Sequence, residues 1–248
     1  MFTIAIDGPA GSGKSTVARV LAKQLGIVYI DTGAMYRAVA LQCIRKQISP
    51  EDEAAVSQAC QEAKIRVTFK DGGQQVYLNN KQVDDLLHTE EISRNTSVIA
   101  RFPAVREKML KIQQVLASHH SCVMDGRDVG TRVLPNANLK IYLTASSQVR
   151  AKRRYYEQVS KKVYCNFEQV KKDIEERDER DTNRKYDPLR QAPDAILVDS
   201  SDMTINEVLR QIRNLCPREV FPQKPKDSSI IISRNHNNKK RDHGFLKH

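Results

Sequence analysis

The sequence predicts an α/β fold, a parallel sheet flanked by helices, and three observations predict it. A short run rich in β-branched residues, Phe2-Thr3-Ile4-Ala5-Ile6, ends at Asp7 and passes at once into a glycine-rich segment and then a helical pattern. Four further short apolar runs, at 27–30, 121–124, 139–143 and 195–198, bring the expected strands to five, with amphipathic stretches between them. Between the second and third runs the apolar period changes to two, which marks an antiparallel insert.

The glycine-rich segment carries the chemistry. Gly8-Pro9-Ala10-Gly11-Ser12-Gly13-Lys14-Ser15 fills every fixed position of the phosphate-loop pattern G-x-x-x-x-G-K-S/T, and Thr16 follows it into the helix. Gly8, Gly11 and Gly13 permit backbone angles and a closeness to ligand that a β-carbon forbids. Their N–H groups then face a polyphosphate. Lys14 adds a mobile positive charge, and the Ser15 hydroxyl is a candidate Mg2+ ligand. The helix beginning near Lys14 turns its positive end to the same place, with Val17, Val20, Leu21 and Leu25 on its buried face.

Composition sets the outer limits. The chain has 248 residues, enough for one buried α/β core with an inserted subdomain. Hydrophobic residues at 40% and charged residues at 29% describe a globular chain, not a disordered one. The net charge of +11 suits anionic ligands, nucleotides or nucleic acid alike. The five cysteines, Cys43, Cys60, Cys122, Cys165 and Cys216, contain no C-x-x-C pair, so buried thiols in a reducing, cytoplasmic setting are expected. The opening strand leaves no room for a cleavable signal, and no apolar run is long enough to span a bilayer, so no membrane partner is expected.

Along the chain, Ile27-Val28-Tyr29-Ile30 is the second strand, and Thr32 is placed to cap the helix that follows. Arg37 at this strand end suits a second phosphate and Tyr36 a stacked or hydrogen-bonded ligand; core packing of Tyr36 and solvation of Arg37 fit equally well. Residues 50–62 read as a helix. Ile65–Phe69 and Gln75–Leu78 alternate about Asp71-Gly72-Gly73, a hairpin within an insert spanning 62–88, and Asn79-Asn80 turns the chain again. Residues 89–118 read as helix, broken at Pro103, with Arg101 solvated. The third strand, from Ser121, runs into Asp125-Gly126-Arg127-Asp128-Val129-Gly130, where two aspartates flanking an arginine make a poor core and a good polar site. Leu139–Leu143 and Ala195–Val198 complete the sheet. Thr204 and Glu207 have capping-box spacing before a stripe of Ile205, Val208, Leu209 and Ile212.

Between the last two strands lies the most charged stretch. Arg150, Lys152, Arg153 and Arg154 open one helix, and Arg177, Asp181 and Arg184 share a face of the next. Such a run suits either a salt-bridged surface or a lid, residues 150–175, closing over ATP phosphates. Residues 217–248 carry eight Lys/Arg against three Asp/Glu, +5 of the total +11, and read as a flexible basic tail after a domain of residues 1–216. No N-K-x-D motif for reading guanine is present. A second phosphate-holding turn beside the first favours transfer to an acceptor over hydrolysis.

The chain resembles the bacterial cytidylate kinases, the CMP/dCMP-specific branch of the nucleoside monophosphate kinases. The resemblance covers residues 1 to about 215 and rests on the loop at 8–15, Asp31-Thr32-Gly33-Ala34-Met35-Tyr36-Arg37, Arg101-Phe102-Pro103-Ala104-Val105-Arg106, Asp125 to Thr131, and Arg177-Asp178-Glu179-Arg180-Asp181 with Arg184. It implies a monophosphate-binding role for the insert, ATP as donor with Mg2+, and CMP or dCMP as acceptor. It places Thr32, Arg106 and Asp128 at the cytosine, Ser97, Arg177 and Asp181 at the ribose, and Arg37, Arg127 and Arg184 at the acceptor phosphate. Asp125 and Tyr36 join the acceptor site, and Arg153 and Arg154 reach the transferring group. It implies a cytoplasmic monomer with no obligatory nucleic acid. The competing expectations are a kinase of UMP, AMP or shikimate, and an ATP-dependent nucleic-acid-binding protein using the basic tail. No cluster of stacking aromatics accompanies that tail, and the chain has no tryptophan.

Overall fold

The computed structural model describes residues 1–70 and 73–217. From the N-terminus, β1 (Thr3–Asp7) leads to α1 (Lys14–Leu25), then β2 (Val28–Asp31) and α2 (Thr32–Arg45). Helix α3 (Glu53–Glu62) precedes β3 (Ile65–Lys70), β4 (Gly73–Leu78) and β5 (Lys81–Gln82). After α4 (Glu90–Ile99) and α5 (Pro103–His119) come β6 (Cys122–Gly126) and β7 (Leu139–Thr144). Helices α6 (Ser147–Ser160) and α7 (Phe167–Asn183), strand β8 (Ile196–Asp199) and helix α8 (Ile205–Leu215) end the fold.

Five strands form the expected sheet in the order β2-β6-β1-β7-β8. Every pairing in it is parallel. All carboxyl ends therefore share one edge, the edge where ligands bind in such sheets. The register sets Asp7 beside Gly126 and Asp31 beside Asp125 along that edge. Strand alternation gives the sheet two apolar faces. Ile4, Ile6 and Val123 pack with Val17 and Leu21 of α1 and with Val208, Leu209 and Ile212 of α8. Ala5, Cys122 and Met124 pack on the other face with α2, α3, α5 and the insert, through Met35, Val39, Val56, Val76, Leu78 and Met109.

Local chemistry explains the boundaries. Gly13, at φ 91°, lets α1 start directly from the loop, and Gly26, at φ 66°, closes it with N–H bonds to Ala22 and Lys23 carbonyls. Asp31, not Thr32, caps α2: its carboxylate accepts from the Ala34 N–H, while Thr32 is the first helical residue and its hydroxyl donates to the Asp125 carbonyl at 2.7 Å. A carboxylate at the strand end is the stronger acceptor for that helix terminus, which frees the threonine. The insert is a three-stranded sheet, larger than the expected hairpin. Asn79 and Asn80 turn β4 into β5 with φ of 50° and 66°, the left-handed pair a tight hairpin turn needs. Asp71 and Gly72, the middle of the first expected turn, lie outside the described residues, as does the expected tail beyond Pro217.

Other readings need adjustment. Ile205 is 51% exposed, because α8 turns only Val208, Leu209 and Ile212 to the core. Arg184 is not helical; α7 stops at Asn183, and Arg184 leaves in extended conformation. The helix break before Pro103, the exposure of Arg101 and the Thr204–Glu207 capping box follow the expectations, and Arg101 in addition pairs with Glu51 at the surface. Cys43, Cys60, Cys122 and Cys216 are buried free thiols and Cys165 is half-buried. No helix among the described residues is long and apolar enough to cross a membrane.

Candidate active site

A cleft of about 1080 Å³ runs along the carboxyl edge of the sheet. One end is the loop from Gly8 to Thr16. Gly8 lies at φ 152°, and a Cβ there would stand 2.0 Å from the Leu143 carbonyl oxygen, so only glycine fits. Lys14, buried beneath the loop, donates to the Pro9 carbonyl at 2.7 Å. Burial, with the nearby Arg127 and Arg177 cations, lowers its ammonium to about 7. Asp125 at the tip of β6 accepts from the Ser15 hydroxyl and from the Tyr29 hydroxyl, each at 2.8 Å. Burial, and then Asp31 beside it, pushes the Asp125 carboxyl up. This pair of hard oxygens at the foot of the loop, one charged, is a donor set suited to Mg2+.

The loop is held from outside as well. Asp7 accepts from the Val129 and Gly130 N–H groups at 2.8 and 2.7 Å, locking β1 to the wide π-type turn Val129–Val133. Arg150 donates to the Ala10 carbonyl, and Asp178 accepts from the Ala10 N–H. Arg153 donates to Ser200 Oγ at 3.0 Å and to the Ser200 carbonyl at 2.6 Å, with a longer contact to the Ser12 carbonyl at 3.4 Å. Arg154 lines the cleft but pairs with Glu157 on its own helix.

At the other end the sequence-predicted arginines converge. Arg106 bonds Asp128 through Nη2 and Asp187 Oδ2 through Nε at 2.8 Å. Arg184 donates Nε and Nη2 to the Asp187 carbonyl, and its Nη2 stands 3.6 Å from Asp128 Oδ1. Arg127 donates to Asp181 Oδ2 at 2.8 Å. Burial opposes ionisation of Asp181, yet the cations of Arg127, Arg177 and Arg184 hold its carboxyl below the usual range. Arg37 pairs with Asp31 at 2.6 Å. Arg177 donates to Ser93, while Ser97 accepts from Arg180, so the expected trio of Ser97, Arg177 and Asp181 lines one wall without bonding one another. Tyr36 is buried, its ring 5.9 Å from the Arg106 guanidinium carbon. Arg37 Nε and Arg177 Nε are buried with no hydrogen-bond partner among the described residues. Unsatisfied cationic donors in an anion-sized cleft are costly unless an anion answers them.

Several participants carry no sequence signal strong enough to find them. Asp187 sits at φ 44°, a left-handed position outside any periodic element, yet it holds both Arg106 and Arg184. Arg150 and Asp178 sit within charge runs that read equally well as solvated surface. Asp31 was visible only as a strand end.

The arrangement can seat a polyphosphate on the loop and a second phosphate among the arginines. A family model for cytidylate kinase matches residues 4–218. A cytidylate kinase of Halalkalibacterium halodurans is 46% identical over 211 residues, 85% of this chain and 95% of that protein. One from Listeria welshimeri is 47% identical over 218 residues, covering 88% and 96%. One from Caldicellulosiruptor bescii is 45% identical over 214 residues, covering 86% and 95%.

Proposed function

Because the chain belongs to the cytidylate kinase family, we propose that it transfers the γ-phosphoryl group of ATP to CMP or dCMP, giving ADP and CDP or dCDP. The observation that carries the assignment is the pair of anion seats facing each other in one cleft, with the Asp128 carboxylate among the arginines of the second. The donor polyphosphate lies on Gly8–Thr16 against Lys14. Magnesium, when bound, supplies charge neutralisation at the donor phosphates, with Ser15 and Asp125 as its protein oxygens. Arg37, Arg127 and Arg184 hold the acceptor phosphate, with Arg153 and Arg154 on the lid side. Ser97, Arg177 and Asp181 surround the sugar.

The acceptor oxygen is already anionic near neutral pH, so no general base is needed. Lys14 and the arginines supply position and compensating charge as the phosphoryl group passes in line. Selectivity comes from Asp128. Its Oδ2 is taken by Arg106, whereas Oδ1 is beyond hydrogen-bond distance of Arg184 and accepts from the 4-amino group of cytosine. Uracil offers a carbonyl there, acceptor against acceptor. Thr32, Tyr36 and Arg106 complete the base pocket.

We assign residues 1–216 to the kinase domain, 62–88 to the acceptor-side insert and 150–175 to the lid, with the tail 217–248 outside the reaction. We further propose that the chain acts as a monomer in the cytoplasm on small-molecule substrates, with no obligatory nucleic acid. The test is ADP release from ATP and Mg2+ with CMP, dCMP, UMP, AMP and shikimate offered separately. Turnover is expected with CMP and dCMP. Equal turnover with UMP or AMP removes the assignment of Asp128, and no acceptor-dependent release removes the kinase.

A further inference from the structure

We propose that Arg150 and Asp178 are positioning residues that brace the Ala10 peptide, so that the two lid helices set the shape of the phosphate loop. Ala10 is the third residue of the loop. Its carbonyl accepts from Arg150 Nη1 at 3.0 Å, and its N–H donates to Asp178 Oδ1 at 3.3 Å. The two side chains join each other, Arg150 Nη1 to Asp178 Oδ2 at 2.5 Å. Arg150 is anchored again by its Nε to the Ala145 carbonyl at 2.8 Å. Both backbone polar groups of one loop residue, in two successive peptides, are thus met by a closed ring of partners, one from α6 and one from α7.

Neither side chain lines the cleft, whereas Ala10 does. The pair therefore acts on ligand only through the loop. Contact is close enough to transmit position: a Cβ on Gly11 would meet Arg150 Cβ at 3.2 Å and the Arg150 carbonyl oxygen at 3.3 Å. With its carbonyl held outward by Arg150, the Ala10 peptide cannot turn that oxygen toward the donor phosphates, where its partial negative charge would repel them. The neighbouring α7 positions, Arg177 and Asp181, line the acceptor side. One helix thus touches the donor loop with Asp178 and the acceptor wall with the residues on either side of it.

The inference rests on the loop being the donor seat, and the test keeps the two apart. Asp178→Asn and Arg150→Lys, singly and together, are made in the full chain. An asparagine that accepts from Ala10 N–H turns its NH2 at Arg150 Nη1, donor against donor. A lysine cannot reach the Ala145 carbonyl, the Ala10 carbonyl and Asp178 at once. ADP affinity by calorimetry, KM for ATP, KM for CMP and melting temperature are measured. Each single variant is expected to bind ADP about tenfold more weakly, with KM for CMP within about twofold, and the double variant is no weaker than either single. Unchanged ADP affinity overturns the proposal. So does loss of ADP and CMP affinity together with a fall in melting temperature, since a merely structural contact gives that result. If Arg150→Lys does not fold, Asp178→Asn alone decides. Wild-type protein that binds ADP without CMP-dependent turnover defeats the kinase reading and leaves the brace to be judged on ADP affinity.

Discussion

Asp187 shows how much one residue can organise. Its side chain takes Arg106 and its carbonyl takes Arg184, from a backbone position at φ 44°. Replacing it with alanine removes the Arg106 bond and the looser 3.6 Å ion pair with the exposed Arg132, so KM for CMP is expected to rise about fivefold while KM for ATP stays level, an effect of about 1 kcal/mol. Steady-state kinetics with each substrate varied in turn checks this. Arg184 lies closer to the chemistry, and Arg184→Ala is expected to cut kcat by orders of magnitude with the melting curve intact; near-normal kcat removes it from the catalytic set. Lys14 gives a pH signature. Its folded value of about 7 lies below the usual 10.5, so the folded chain binds fewer protons than the unfolded chain between these values. Stability from this group therefore grows as pH rises through that window and is lost as pH falls through about 7. A bound polyphosphate restores the charge. ADP binding at pH 8 should take up about one proton, read by calorimetry in buffers of different ionisation enthalpy, and Lys14→Met should abolish the uptake.

At the scale of elements, Gly8 ties the loop to β7. Gly8→Ala forces a methyl group into the Leu143 carbonyl, and a loss of about 2 kcal/mol or more of stability is expected in denaturant melts, together with ADP affinity. The elements themselves were largely legible. Strand period, the start of α1 near Lys14, the Pro103 break and the Thr204 capping box each reflect a local rule that tertiary packing does not override. The phosphate loop was legible for the same reason: its ligand imposes residue type and spacing at once. What sequence could not show were pairings set by the approach of distant segments. Arg106 meets Asp187 across 81 residues, and Ala10 meets Asp178 across 168. Thr32 was misjudged as a cap because two adjacent residues both suit that role, and only the position of the Asp125 carbonyl decides between them.

Over the whole molecule, charge is divided unequally. Residues 217–248 carry +5 of the +11, and the cationic side chains that line the cleft among the described residues all precede them. Ending the chain after Cys216 should leave CMP turnover within about twofold, measured on the truncated and full chains side by side. Loss of activity on truncation would place the tail in the reaction.

The sheet also separates two apolar bodies. The donor loop and α1 stand on the face shared with α8, whereas α2, α4, α5 and the insert, which bring Thr32, Tyr36, Arg37, Ser97 and Arg106 to the acceptor wall, stand on the other. Such a partition lets heritable change proceed in one half without dragging the other along. A lineage could exchange the base-reading residues of that half and keep the donor loop, with α7 the helix that must go on answering to both. Grafted chimaeras joined at the sheet are accordingly the natural starting point for retargeting this scaffold to new nucleotides.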